Sequence, residues 1–244
     1  NYLVLFKPCL LFLLLCVLFC ACNTTKFLAD DEYLYGGAKV LIDKEPLIVK
    51  EKALKGELTD LLSPKPNSKL FWMFRTKLWV HYRAQKKPKG LIRFIAKRYG
   101  QAPVLFNPEF AQRNVVQIEN YLFNNGYFDG TAKYDTIQKK KIAWINYQVS
   151  PQNRYDYKQI VLKVDSGKLG DLILAKANET NLKEGAYYDA EVLKMERSRI
   201  NGVVRQAGYY EYEPEAITYK ADTSRLNHNI NLSVKPLSEK DGIP

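Results

Sequence analysis

Beyond position 22 this chain of 244 residues contains no cysteine; all four lie at or before it. A body without thiols has no disulfide framework and no thiolate metal cluster, so it must hold together by packing. Histidine is almost as scarce, with His81 and His228 alone, and no glycine-rich phosphate loop occurs. Nucleophilic and metal chemistry need convergent groups of these kinds, and the sequence offers no catalytic set, no metal ligands and no cofactor motif. An enzyme is therefore not expected. Carboxylate pairs do occur, Asp30 with Asp31 and Glu211 with Glu213, and such pairs can act as acid and base at a glycosidic bond. Glu211 and Glu213 read more simply as the solvent face of a strand, with Tyr210 and Tyr212 opposite. Acidic residues are missing between Leu61 and Pro108, where eleven lysines and arginines fall, a surplus equal to the formal net charge of +11. The remainder is close to neutral.

What the chain does have begins with one uninterrupted apolar run, Cys9 to Cys20, too short to span a bilayer and of the length of a signal-peptide core. Phe19, Cys20, Ala21 and Cys22 resemble a lipobox, with small Ala21 before the cysteine and phenylalanine where leucine is usual. On that resemblance Cys22 is the lipid-attachment residue, residues 1–21 are the leader, and 22–32 form a lipidated linker. An ordinary secretory leader or a signal anchor fits the same run. A group of two or three acyl chains anchors stably, since each buried methylene contributes about 0.8 kcal/mol. Asn23 follows the cysteine where aspartate favours inner-membrane retention, so the resemblance implies the outer membrane, periplasmic face. The chain starts at Asn1, not Met.

A unit is written twice. The first copy runs from Phe110 through Gly126, Tyr127 and Phe128 to Ile145, Tyr147, Val149 and Pro151; the second runs from Asp189 through Gly208, Tyr209 and Tyr210 to Ile230, Leu232, Val234 and Pro236. Ala111, Val115, Ile118 and Leu122 recur at helical spacing, with Asn114 and Gln117 off the stripe. Asn107 and Pro108 give a start, Asn125 and Gly126 a stop. In the second copy Asp189 is the cap, Val192, Met195, Ile200, Val203 and Ala207 form the face, Glu196 pairs with Arg199 at its edge, and Gly208 is the stop. Ile145, Tyr147 and Val149, like Ile230, Leu232 and Val234, alternate with polar residues as a strand with one buried face does. Ahead of each helix lies another apolar pair of segments: Val40 to Ile42 then Leu54, Leu58, Leu61 and Leu62, and Ile160 to Val164 then Leu169, Leu172, Ile173 and Leu174. The expected class is α+β, two tandem β-α-α-β-β modules, each a three-stranded sheet covered on one side by two helices. Their spans are 33–151, with an insert at about 63–106, and 155–236.

This order, with Gly-Tyr-Phe and Gly-Tyr-Tyr at the junction of second helix and second strand, resembles POTRA (polypeptide-transport-associated) domains. With a lipidated N-terminus it is similar to the lipoprotein branch of the BamA/TamA family of outer-membrane assembly proteins, the TamL type. Asp31–Gly37 (DEYLYGG), Gly100–Leu105 (GQAPVL) and Gly185–Asp189 (GAYYD) carry the same likeness. Members continue into a membrane β-barrel, whose alternating segments are not found before Pro244, so the sequence reads as an N-terminal fragment in which 237–244 begin the connection to a further module or barrel. The resemblance implies a periplasmic arm that receives unfolded outer-membrane or exported proteins by strand addition and passes them on. It implies the second strands as open edges, Phe128 to Ile137 and Tyr210 to Tyr219, with Phe128, Ala132, Tyr134, Tyr210, Tyr212 and Tyr219 as candidate pairing residues and Pro214 interrupting the second edge. The alternative is a lipid-anchored scaffold for one fixed partner, such as a periplasm-spanning protein of the translocation and assembly module.

In the cationic insert Phe71, Trp72, Phe74, Trp79, Tyr82 and Phe94 interleave with the charges. One reading is a membrane-facing element formed by Phe71, Trp72, Arg75, Lys77, Trp79 and Arg83. The other packs Trp72, Leu78 and Trp79 into an enlarged core and leaves Lys86, Lys87 and Lys89 as a solvated loop. The spacing predicts a helix over Leu70 to Tyr82, followed by a polar turn. A basic, aromatic stretch also suits nucleic acid; an exported chain is not expected to have a nucleic-acid partner, and a cytoplasmic, unlipidated product would revive that reading.

Overall fold

Residues 24–43, 51–70, 74–86, 89–222 and 229–236 are described by a computed structural model, and they form an α+β fold of two three-stranded sheets with helices. The first part of the chain supplies β1 (Leu34–Ile42), α1 (Glu51–Leu61), α2 (Thr76–Lys86), α3 (Leu91–Tyr99), α4 (Pro108–Asn124), β2 (Thr131–Lys139) and β3 (Ile142–Ser150). The second supplies β4 (Asp156–Leu162), α5 (Lys168–Ala175), α6 (Ala190–Gln206), β5 (Ile217–Asp222) and β6 (Asn229–Pro236). Apart from the insert helices α2 and α3, the order β-α-α-β-β occurs twice. Chain contacts divide the chain into two compact units, one drawing on the chain up to Leu41, Ala53–Val115 and Lys133–Gln148, the other on Ile42–Lys52, Val116–Ala132 and the chain from Val149 onward.

In the first sheet β3 lies between β1 and β2. Its alternation places Ala143, Ile145, Tyr147 and Val149 in the core, each fully buried. Leu34 N–H donates to the carbonyl of Lys141 and Asp43 N–H to that of Val149, so β1 and β3 run parallel and the helices form the crossover that such a pair needs. Lys140 and Lys141, with φ of 49° and 60°, make the two-residue turn that folds β2 back on β3. The predicted stripe Ala111, Val115, Ile118 and Leu122 of α4 is buried. Asn107 caps this helix by accepting from Glu109 N–H at 2.8 Å.

Asn114 departs from its expected place off the stripe. It is buried because Tyr147 and Ser63 give its amide partners: its Nδ2 donates to the Tyr147 hydroxyl at 2.9 Å, and its Oδ1 accepts from Ser63 N–H at 3.1 Å. On α1 the buried residues are Leu54 and Leu58, with Leu62 just after it, whereas Leu61 faces outward.

The second sheet repeats the topology, with β6 central, β4 parallel to it from Asp156↔Asn229 to Leu162↔Val234, and β5 antiparallel from Ile217↔Pro236 to Asp222↔Asn231. Leu169 and Ile173 of α5 and Leu193, Ile200 and Val204 of α6 bury against Tyr157, Tyr212 and Ile217. The expected α6 face is rotated: Leu193, Glu196, Ile200 and Val204 face the core, while Met195 is half exposed. The rotation is possible because Glu196 is fully compensated. Its carboxylate, only 3% exposed, takes Arg199 Nη2 at 2.7 Å, Arg199 Nε at 3.0 Å and Asn181 N–H at 2.8 Å. The pair expected at an edge is thus a buried one. Asp189 caps α6 through Glu191 N–H at 2.8 Å.

Candidate functional site

A three-stranded sheet with its third strand in the middle has two outer strands, and the two sheets treat theirs alike. The outer side of β1 is occupied at its start by the segment Val104–Phe106: Tyr35 N–H donates to Val104 O at 2.8 Å and Phe106 N–H to Tyr33 O at 2.8 Å. Buried Asn67 fixes that segment, donating to Ala102 O at 2.7 Å and accepting from Val104 N–H at 2.9 Å. The outer side of β4 is occupied in the same way: Tyr157 N–H donates to Ala186 O, Gly185 N–H donates to Tyr157 O, and Glu184 accepts from Ile160 N–H at 3.0 Å. These covering segments contain parts of the phrases GQAPVL and GAYYD, whose physical role is to close the first strand's edge.

β2 and β5 are the opposite outer strands, each with a strand neighbour on one side. Beside a two-residue turn, the strand residues alternate between facing the partner and facing away. Lys139 meets Ile142, so odd-numbered residues of β2 exchange hydrogen bonds with β3, and Ala132, Tyr134, Thr136 and Gln138 direct backbone groups outward. Two of those amides are held by side chains: Ala132 N–H donates to Glu119 Oε1 at 3.0 Å and Thr136 N–H to Asp135 Oδ1 at 2.8 Å. Among the described residues, side chains that could be displaced, and not a further strand, occupy this edge.

On the helix-free face, Ile137 of β2 and Trp144 of β3 border an open groove with Gly36, Gly37, Lys39 and Lys69. Gly36 is required there, since a Cβ on it would fall 2.5 Å from Trp144 Nε1. On the other face Tyr134 lies opposite Tyr147, ring centroids 6.4 Å apart. β5 is shorter at six residues, and its Lys220 and Asp222 are exposed, as suits an edge that resists pairing.

The predicted pairing residues separate under this geometry. Ala132, Tyr134 and Tyr219 lie on the outer strands. Phe128, Tyr210 and Tyr212 do not, because the chain turns at each Gly-aromatic-aromatic phrase before either strand begins. Phe128 instead packs against Phe123, Tyr155 and Tyr188 at centroid distances of 4.8 to 5.1 Å. Tyr212 is buried, its hydroxyl pKa pushed up to about 12 by burial, while Tyr210 is 74% exposed in the turn. Tyr219 donates its hydroxyl to Leu193 O at 2.9 Å and is likewise pushed up to about 12, by burial and then by Glu196. Glu211 and Glu213 belong to that turn and not to a strand face, and Pro214 opens a short 3-10 turn ahead of β5 without interrupting it.

In the insert, Leu70 forms an isolated bridge with Phe74, and the helix begins at Thr76, six residues later than expected. Leu78 and Tyr82 of α2 are buried beside Leu34, and Phe27 stacks on Tyr82 at 4.7 Å. Trp79 is half-buried under the Arg83 guanidinium, 5.2 Å from its ring, Lys77 is exposed, and burial lowers the pKa of half-buried Arg75. Phe71, Trp72, Cys22 and His228 lie outside the described residues. A second helix, α3, which was not expected, follows the predicted polar turn; its signal was the apolar spacing of Leu91, Phe94 and Ile95. Among the described residues no group of three or more His, Cys, Asp or Glu could hold a metal ion, and no helix is long and apolar enough to cross a membrane.

No family model matches the sequence, and no curated protein does. Solved structures of similar arrangement include POTRA domains 3–5 of BamA from Haemophilus influenzae, at 13% identity and a TM-score of 0.41, with 84% of this chain and 61% of that one covered. BamA from Haemophilus ducreyi lacking POTRA domains 1–3 gives 16% identity and a TM-score of 0.45 over 83% of this chain and 29% of that one. POTRA domains 1–2 of the periplasmic domain of Omp85 from Anabaena give 10% identity and a TM-score of 0.40 over 86% and 99%. The chain spans about three fifths of the first of these and under a third of the second.

Proposed function

We propose that this chain is the POTRA-bearing periplasmic arm of an outer-membrane assembly protein of the BamA/TamA family, TamL type. It receives unfolded outer-membrane or exported proteins as an added strand on β2 and passes them to a membrane barrel. The observation that carries the reading is the asymmetry of the outer strands: Val104–Phe106 covers the start of β1, whereas among the described residues β2 has a strand neighbour only in β3. Main-chain pairing of this kind is nearly indifferent to client sequence, which suits a protein that handles many clients. The groove beside Ile137 and Trp144 would take every second side chain of the added strand. In this reading the modules span 33–151 and 155–236, 1–21 is a leader, 22–32 a linker, and Cys22 carries the lipid that holds the arm at the outer membrane.

Site-specific photocrosslinking tests the client role. Crosslinks from Lys133 and Asp135 on β2 to unfolded barrel proteins, with few from Gln112 on α4, are the expected outcome; crosslinks confined to α4 would overturn it. The second reading, a scaffold for one fixed partner, is separated by depletion. Broad loss of outer-membrane barrels fits assembly, and loss of one complex fits the scaffold.

A further inference from the structure

The helix α3 carries a wider apolar arc than the fold covers. At about 100° per residue, Phe94, Leu91, Ile95, Tyr99, Ile92 and Ala96 follow one another around more than half of the helix, with Arg98 the one polar residue among them. Ile92 and Ala96 are half-buried, and α3 packs on α2, which accounts for one part of the arc. The other part faces outward: Leu91 is 74% exposed, Phe94 70%, Tyr99 59% and Ile95 37%. Arg93 and Lys97 flank Phe94, Lys89 precedes the helix, and no acidic residue occurs from Leu61 to Pro108.

We propose that α3 is an interfacial helix that lays Leu91, Phe94 and Ile95 into the headgroup boundary of an anionic phospholipid surface, with Lys89, Arg93, Lys97 and Arg98 meeting the phosphates. An apolar strip alone names no occupant; the cations beside it, in a segment that holds no acidic residue, do. A second copy of the chain would bring cations against cations, whereas an anionic bilayer supplies both the apolar boundary and the counter-charge. Arg98 can reach headgroups from within the apolar sector because its long stem is itself apolar. The assignment differs from a membrane face built on Trp79 and Arg83, because α2 spends its apolar residues Leu78 and Tyr82 on the core. It does not depend on whether β2 receives clients.

The test uses the full chain carrying Phe94→Trp, reconstituted into phosphatidylcholine vesicles with brominated acyl chains, with or without phosphatidylglycerol. A chain carrying Lys194→Trp on α6 is the control for a leader or lipid that holds the whole chain near the bilayer. In phosphatidylglycerol vesicles the added Phe94→Trp emission is expected to shift blue and lose most of its intensity, to recover at high salt or with Arg93→Glu and Lys97→Glu, and the control is expected to stay unquenched. Three results overturn the proposal: no quenching at position 94, equal quenching without the anionic lipid, or a blue shift in lipid-free solution that depends on protein concentration, which would assign the face to a second copy. Position 94 is exposed, so the Phe94→Trp chain is expected to keep its circular dichroism and unfolding midpoint.

Discussion

Two glycines close corresponding helices, and their surroundings set different costs for the same change. Gly126 has φ of +84° and Gly208 +104°, so any side chain at either meets backbone strain. At Gly126 an added Cβ would also lie 3.0 Å from Tyr188 O and 3.3 Å from Tyr155 O, whereas nothing stands within 4 Å at Gly208. Gly208→Ala is therefore expected to cost about 1 kcal/mol and Gly126→Ala about 2 to 3 kcal/mol, measured by chemical denaturation; equal costs would show that the carbonyls yield freely. Glu196 makes a second residue-scale prediction. Burial alone would raise its pKa, but the hydrogen bonds from Arg199, Asn181 and Thr180 outweigh it and hold the carboxyl below its ordinary 4.5. A folded-state pKa below the unfolded one adds stability above the unfolded value and loses it as pH falls through the folded value. The natural chain should thus lose stability below about pH 4.5, and Glu196→Gln should flatten that slope. The tyrosines work in the other direction: Tyr212 and Tyr219, raised to about 12 from 10.0, add stability that is complete below pH 10 and lost between there and about 12. Tyr212→Phe should weaken that alkaline loss in a denaturation series. Residue identity alone revealed none of this about Glu196, because its place at the edge of a helical stripe looks the same in sequence whether the pair is buried or exposed.

At the scale of elements, local signals and their limits are both visible. The caps at Asn107 and Asp189, the stripe of α4 and the alternation of β3 are short-range patterns, and each was legible because capping and burial periodicity act within one or two turns. Where β2 and β5 begin was not, since Phe128 and Tyr212 are set by aromatic packing and burial with residues far along the chain. That β2 and β5 are outer strands was anticipated from family likeness; that the start of β1 is covered came only from Val104–Phe106 lying beside it. That covering predicts a graded response. Asn67→Ala removes two hydrogen bonds to the 102–104 loop and is expected to cost about 2 kcal/mol and to raise amide exchange at Tyr35. Unchanged exchange at Tyr35 would mean that the loop holds without its asparagine.

For the whole molecule, the charge and the two topologies support the proposed binding through a strand edge and a charged surface. The eleven cations of the insert account for the entire net charge, and the sheets use only internal packing, with no thiol after Cys22. Two sheets of the same order present two outer strands of unequal quality, nine residues in β2 against six in β5. Client pairing is accordingly expected at β2 first. Amide hydrogen exchange of the chain with and without an extended segment of an unfolded barrel protein tests this most directly. New protection is expected at Ala132, Tyr134, Thr136 and Gln138, whose amides face outward, with little change at the odd-numbered residues already bonded to β3. Protection that appears on the helices, or none along β2, would contradict it.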